Sequence, residues 1–336
     1  MTHDFTPQVV VNGRFLARRI TGVERYGREV LRFIEDGSRI ESTQKQGWKG
    51  HAWEQLILPG RLGSASVLWS PANTGPLLVH NQALSIHDLG PLEHPEWFRA
   101  SFARWYRLFL PILVKRVRKV FVPSEYVKGR VSQRFRVADV TVTPNGVDHS
   151  IFCPDAVQTT FELPARYILF AGTLEPRKNL DGLLHAWAKI KAQFKDTWLI
   201  IVGVRGSVFK AVGFPRTMQR VRFLGYTDDR NLAGLYAQAT LFVLPSFDEG
   251  FGLPALEAMA CGAPVLVSDG GALPEVVGQA GMIFPLADRN GLVEAMSECL
   301  DNDSTRFLLR EKGLQRASQF SWRRTADLVW KGLHEL

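Results

Sequence analysis

Glu249 and Glu257 bracket a glycine-rich turn in the run DEGFGLPALEAMACGAPVLVSD, Asp248 to Asp269. Carboxylates accept hydrogen bonds from hydroxyls, so two of them brought to one ligand suit a ribose or a hexose. Gly250 and Gly252 flank Phe251, which lets backbone amides approach a ligand with no Cβ in the way. Pro254 suits the first turn of a helix, and the amides that lead such a helix face anions and sugar hydroxyls. This reading puts Glu249 in the loop and Glu257 in the first turn of a proline-started helix. An isolated glutamate pair reads as solvated surface; the full pattern of glutamates, glycines and proline is far rarer.

A second constellation is YILFAGTLEPRKNL, Tyr167 to Leu180, in which Arg177 and Lys178 follow a strand and a glycine turn and precede a helix capped near Asn179. Arginine grips phosphate through two parallel donors and lysine adds a mobile point charge, so the pair suits a diphosphate and the charge that develops as it leaves. In the third, LSIHDLGPLEHP, His87 and Asp88 end a short apolar strand. An unperturbed imidazole titrates near pH 6.5, as a group that carries or accepts a proton near neutrality would; the plainer alternative is a histidine satisfied at a strand end.

Strands and turns must place these groups. TLFVLPS, Thr240 to Ser246, is short, apolar and β-branched, so it reads as a buried strand that delivers Asp248 and Glu249 at its carboxyl end, where ligands gather in α/β sheets. VVVNGRF, Val9 to Phe15, reads as the first strand, followed by a loop around Gly22 and an amphipathic helix. Asn145 and Gly146 mark a turn. Ile40 to Leu56 is polar with no clean periodicity and is expected to be a mobile loop on the acceptor side. With 336 residues and strands alternating with helices on both sides of about residue 155, the chain suits two α/β units of roughly 150 residues each, two doubly wound parallel sheets facing a cleft.

The Asp248–Asp269 run resembles the donor-binding signature of retaining glycosyltransferases of family 4, in which two glutamates separated by seven residues bracket a GFGLP-like turn. The resemblance implies the GT-B fold: a first Rossmann-like domain over residues 1–155, a nucleotide-sugar-binding domain over 156–318, and a final helix over 319–336 that crosses back to the first domain. It implies that Glu249 contacts hydroxyls of the donor sugar, that Gly250, Phe251, Gly252 and Leu253 offer backbone contacts to sugar and distal phosphate, and that Glu257 binds the ribose. Arg177 and Lys178 take the diphosphate, His87 lies at the sugar, Gly22 lies under the phosphates, and the nucleobase lies near Gly225 and Tyr226. Many members carry arginine directly after the strand-end glycine, where this chain has Thr173, and Arg177 is the substitute. By resemblance to bacterial polysaccharide mannosyltransferases, the implied reaction moves a hexose, with mannose from GDP-mannose as the first candidate, to a saccharide or polyprenyl-diphosphate-linked saccharide acceptor. It proceeds with retention by front-face attack and without a cofactor beyond the donor. UDP-sugars, a nucleotide-sugar epimerase and a catalytically silent nucleotide-sugar-binding protein are the alternatives.

Charge and composition bound the partners. Lys and Arg number 41 against 33 Asp and Glu, a formal charge of +8, which favours phosphorylated substrates or anionic lipid, while no nucleic-acid motif is present. Phe98 to Lys119 mixes aromatic and basic residues as interfacial helices do, which suggests peripheral contact with the cytoplasmic face of the inner membrane. The opening MTHDFTPQ lacks the basic start and apolar stretch of a secretory leader, so a cytoplasmic location is expected. Cys153, Cys261 and Cys299 are few and widely spaced, which argues against a disulfide framework or a Cys-rich metal site. Asp301 and Asp303 form an Asp-x-Asp triplet between two helices, read as a cap or linker, and metal-independent activity is expected.

Overall fold

The computed structural model describes residues 8–137, 139–156, 159–204, 208–209 and 218–336. The opening run read above for a leader, apart from Gln8, lies outside the described residues. Two compact units divide the chain: one made of the segments up to Glu93, from Ala103 to Gly146 and from Trp322 onward, the other of His94–Phe102 and Val147–Ser321.

In the first unit, β1 (Gln8–Asn12), β2 (Ser38–Glu41), β3 (Ser66–Ser70), β4 (Gln82–Ser85), β5 (Lys119–Val122) and β6 (Val140–Val142) form one parallel sheet in the order β2-β1-β3-β4-β5-β6. Val9, Val10 and Val11 are completely buried, the continuous apolar run expected of a parallel strand covered on both faces. The helix Gly22–Ile34 packs along the carboxyl-terminal helix Trp322–His334, and Tyr26 meets Trp322 edge-on at 6.3 Å. The stretch from Ile40 to Leu56 is not a loop. It ends β2 and then forms the helix Gly47–Leu56, which buries Trp53 and Glu54. Periodicity misses this helix because one of its inward positions is a carboxylate, held by Arg14 and Asn12 rather than by apolar packing.

In the second unit, β7 (Arg166–Ala171), β8 (Thr197–Val202), β9 (Val221–Gly225), β10 (Leu241–Leu244), β11 (Val265–Ser268) and β12 (Met282–Phe284) are again all parallel, in the order β12-β11-β10-β7-β8-β9. Winding runs outward from β7 in one direction through β8 and β9, then restarts beside β7 at β10 and runs the other way. The β7/β10 boundary, with Leu241 opposite Ile168, is therefore the topological switch point, where connecting loops part and leave a crevice at the strand carboxyl ends. Ile168, Leu169, Phe170 and all of β10 are inaccessible to solvent, so these strand ends are held rigidly. Among the described residues no helix is long and apolar enough to cross a membrane. The Asp-x-Asp aspartates lie at a helix junction, where Asn302 is the cap, accepting from the Thr305 amide at 3.0 Å. Asp301 accepts from Gln193 and Asp303 pairs with Arg306.

Candidate active site

Two loops meet at the switch point of the second sheet. After β7 the chain turns through Gly172, crosses Thr173 and Leu174, and makes a short 3-10 turn, Pro176–Lys178. Asn179 then takes the left-handed conformation (φ 53°) and caps the helix Leu180–Ile190, its side chain accepting from the Gly182 amide at 3.2 Å. That side chain also donates to the Pro245 carbonyl at 3.0 Å, and the Phe247 amide donates to the Arg177 carbonyl at 2.8 Å, which ties this loop to the one after β10.

Glu249 is the centre of the arrangement. Its Oε2 accepts from Arg177 Nη1 at 2.7 Å, and its Oε1 accepts from Lys178 Nζ and from Ser246 Oγ, the latter at 2.7 Å. Arg177 also donates to the Asp248 carbonyl at 2.9 Å and to Glu175 Oε1 at 3.0 Å. All these charged side chains are largely withdrawn from water, Glu175 to 1% and Arg177 to 13% side-chain exposure. Burial pushes the Glu249 carboxyl upward, but the Arg177 and Lys178 charges, with hydrogen bonds from Lys178 and Ser246, overcome it and hold the group down at about 2. Glu175 goes the other way: burial raises its pKa more than Arg177 and Lys178 lower it. The site thus holds one carboxylate fixed in its charged form and one whose proton is retained to higher pH.

The glycine turn is shaped as its residues dictate. Gly250, Phe251 and Leu253 are buried, and Phe251 packs edge-on against Phe320 at 5.9 Å, so its side chain belongs to the core and only its backbone is available to a ligand. Gly252 has φ 103°, and an added Cβ there would fall 2.6 Å from Leu273 Cδ2. The helix runs Leu253–Ala260 with Pro254 second, which makes Glu257 its fifth residue, just past the first turn in which the sequence reading put it, because Gly252 itself supplies the cap. Glu257 is buried, with Tyr236 Oη 3.5 Å from Oε2. Thr173 is half-buried between Gly172 and Leu174. Tyr226 stands apart, 63% exposed at the end of β9, two strands from β7 and therefore about 10 Å away at ordinary strand spacing.

Gly22 and His87 belong to the first unit. Gly22 opens the helix Gly22–Ile34, and Tyr26, one turn on, meets the His87 ring at 4.7 Å. His87 is buried; its amide donates to Asn73 Oδ1 at 2.8 Å and its Nε2 lies 2.7 Å from the Pro71 carbonyl. A carbonyl can only accept, so Nε2 carries the proton and Nδ1 is the acceptor in the neutral ring. Burial lowers the His87 pKa more than the Pro71 hydrogen bond, Asp88 and Glu24 raise it, which corrects the expectation of a histidine titrating at its ordinary value.

Residues 165–302 match the family Glycosyl transferases group 1, and residues 68–151 match Glycosyltransferase Family 4. O-antigen chain mannosyltransferase B of Escherichia coli is 33% identical over 297 residues, covering 84% of this chain and 75% of that protein. The chain belongs to the family 4, group 1 glycosyltransferases. Its fold is similar to solved GT-B structures: sucrose-phosphate synthase from Thermosynechococcus elongatus (TM-score 0.78, 18% identity, 98% of each chain covered), and Anabaena HepE in complex with UDP and glucose (TM-score 0.73, 16% identity, 98% of this chain and 100% of that chain).

Several groups at this glycosyltransferase's switch point escape a reading of motifs. Ser246 and Glu175 contact the charged cluster directly. Gly270 and Gly271 follow β11 and let that loop press on the Glu249 loop: at Gly271 (φ 68°) a Cβ would sit 2.3 Å from the Glu249 carbonyl and 2.4 Å from its amide nitrogen. At Gly203 a Cβ would lie 1.8 Å from the Gly172 carbonyl, so the ends of β7 and β8 approach too closely for any side chain. The available signal is a glycine directly after β7 and β8 and a glycine pair one residue beyond β11. The first unit has its own polar cluster at the β1 and β3 carboxyl ends, where Glu54 Oε1 accepts from Asn12 at 2.7 Å, Thr74 at 3.1 Å and Arg14 Nε at 3.2 Å. Burial raises the Glu54 pKa, yet Arg14 and the hydrogen bonds bring it below the ordinary value.

Proposed function

We propose that this glycosyltransferase moves mannose from GDP-mannose, with retention of anomeric configuration and without a metal ion, to a saccharide or polyprenyl-diphosphate-linked saccharide in cell-surface polysaccharide synthesis. The observation that carries the reading is the buried cluster of Arg177, Lys178 and Glu249 at the β7/β10 switch point, where an α/β sheet holds a nucleotide ligand. The kind of sugar and the pathway are drawn from the Escherichia coli relative, whose name is O-antigen chain mannosyltransferase B.

In this reading Arg177 and Lys178 receive the diphosphate and stabilise the negative charge that grows on it as the sugar–phosphate bond breaks. A carboxylate held at about 2 stays charged across the working range and accepts hydrogen bonds from the sugar hydroxyls. The Phe251, Gly252 and Leu253 amides lead a helix and meet sugar and distal phosphate, since the first amides of a helix have no partner within it. Glu257 takes the ribose, and Gly22, Thr173 and Tyr226 keep the roles that the family resemblance assigns them. With its Nε2 proton given to Pro71, His87 serves as an acceptor for a sugar hydroxyl and not as an acid. The leaving diphosphate takes the acceptor's proton during front-face attack, so no protein carboxylate is required as nucleophile. A lipid-linked acceptor brings the protein to a membrane surface, and the helix Ala100–Val114, with Leu108 68% and Ile112 50% exposed near Arg104 and Arg107, supports that contact.

The test is a thermal-shift panel of GDP, UDP, ADP and their sugar conjugates against the wild type and Glu257→Ala. A selective rise with GDP and GDP-mannose that shrinks in the variant is expected. A rise with UDP compounds alone would remove mannose from GDP-mannose as the donor, and no rise with any nucleotide would remove the transferase reading of this site.

A further inference from the structure

Three guanidinium groups converge at the other end of the second sheet. Arg166 is the first residue of β7, and Thr240 and Pro264 immediately precede β10 and β11. The helix Asp303–Ala317 lies beside these amino ends and brings in Arg306, Phe307 and Arg310, so that together they line a pocket of about 360 Å³. Six residues of β7 at about 3.3 Å each separate this pocket from the strand carboxyl ends by roughly 20 Å. It is therefore a different place from the site of Arg177 and Glu249.

The arginines are fixed by the carbonyls of two helix ends. Arg166 Nη2 donates to the Leu300 carbonyl at 3.1 Å, Arg306 Nη1 to those of Cys299 at 2.5 Å and Leu300 at 2.8 Å, and Arg310 Nη1 to that of Gly262 at 3.0 Å. The Arg310 guanidinium lies so close over Gly262 that a Cβ there would be 2.8 Å from Nη1. Each guanidinium carries five N–H donors, so a single carbonyl contact immobilises Arg166 and Arg310 while leaving most of their donors for a ligand.

Charge balance points the same way. Arg306 and Arg310 are four residues apart on one helix, a spacing at which like charges repel, and Arg166 adds a third positive charge. Burial and then the Arg166 charge both lower the proton affinity of Arg306. The carboxylate paired with this group is Asp303, whose side chain is 91% exposed and so well screened. Beside the cations, Phe307 stands 66% exposed, an apolar edge on a basic pocket.

We propose that this pocket binds a phosphate-bearing ligand, with the phosphate gripped by Arg166 and Arg310 and an adjoining apolar or aromatic part covered by Phe307. Rigid, planar donors of this kind match phosphate oxygens two at a time. The phosphate belongs either to a soluble phosphorylated molecule or to a phospholipid headgroup.

Calorimetric titration of the full chain with inorganic pyrophosphate tests this, in a Lys178→Ala background that weakens binding at the β7/β10 site. One saturable event is expected, weakened by added salt and at least about tenfold weaker after Arg166→Glu, since hydrogen bonds to a charged group carry about that much. Arg166 is exposed, so this variant should keep its fold; Arg310→Gln gives a second, independent loss, and unchanged melting temperatures without ligand exclude unfolding as the cause. Absence of binding, or equal affinity in the Arg166→Glu protein, overturns the proposal. Sedimentation with vesicles containing phosphatidic acid then separates the sources. Loss of co-sedimentation in Arg166→Glu assigns a lipid headgroup, and unchanged co-sedimentation beside lost pyrophosphate binding assigns a soluble ligand.

Discussion

Glu249→Gln replaces a charged carboxylate with a neutral group of the same shape, and its effect can be worked from the structure. The carboxyl is held at about 2 against an ordinary 4.5, a difference of about 2.5 units. At 1.36 kcal/mol per unit, the charged form gains about 3 kcal/mol over the neutral form that glutamine imitates. Breaking a buried ion pair from one side costs a similar amount, because Arg177 and Lys178 remain buried without their shared partner. The unfolded group ionises near 4.5, so this stability is fully present above that pH and is lost only as pH falls through about 2; the variant's deficit is constant from pH 6 to 9. For a unit of this size, 3 kcal/mol lowers the melting temperature by about 6–12 °C. Scanning calorimetry with and without GDP is the assay. The uncompensated cations of the variant take the diphosphate as a counter-ion, so GDP raises its melting temperature more than that of the wild type, while sugar transfer falls at least about a hundredfold. A melting temperature within about 2 °C of the wild type, with an unchanged GDP effect, would refute the reasoning.

Three further outcomes follow from particular groups. Burial raises the Glu175 pKa, so its neutral form contributes stability below the unfolded carboxylate pKa that is lost as pH rises through the folded value; a carboxyl NMR titration should find Glu175 holding its proton to higher pH than a free glutamate, and a midpoint at or below that of free glutamate would contradict the burial. Gly271→Ala strains a φ of 68° and drives a methyl group into the Glu249 backbone, so a loss of about 1–3 kcal/mol by chemical denaturation and at least tenfold weaker donor binding are expected; unchanged values would show that the two loops do not press on each other. Imidazole nitrogen NMR should find the neutral His87 ring with its proton on Nε2 and a charging midpoint below that of a free imidazole, because burial makes the folded chain bind the second proton less readily than the unfolded one; a midpoint above the free value would contradict the buried geometry.

The doubly wound architecture was legible because its signals are local: VVV and TLFVL are short apolar runs that end in turn residues, and a parallel strand buried on both faces reads as such a run. The helix start after GFGLP was legible for the same reason, since glycine and proline fix backbone angles wherever they stand. What escaped depends on partners far along the chain. The helix Gly47–Leu56 forms around Glu54, whose partners Asn12, Arg14 and Thr74 lie up to 42 residues away. Glu175 stands beside the arginine and lysine of its motif, yet only its burial distinguishes it from a solvated carboxylate. The pressure of Gly271 on Glu249, and the depression of His87, likewise arise from packing between loops that the sequence separates.

The most direct test of the account is a crystal structure of the protein with GDP bound. The diphosphate should lie within hydrogen-bond distance of Arg177 and Lys178, the ribose hydroxyls on Glu257, and the phosphates in front of the Gly252 and Leu253 amides. A nucleotide bound away from the carboxyl ends of β7 and β10, or one whose ribose leaves Glu257 untouched, would contradict it.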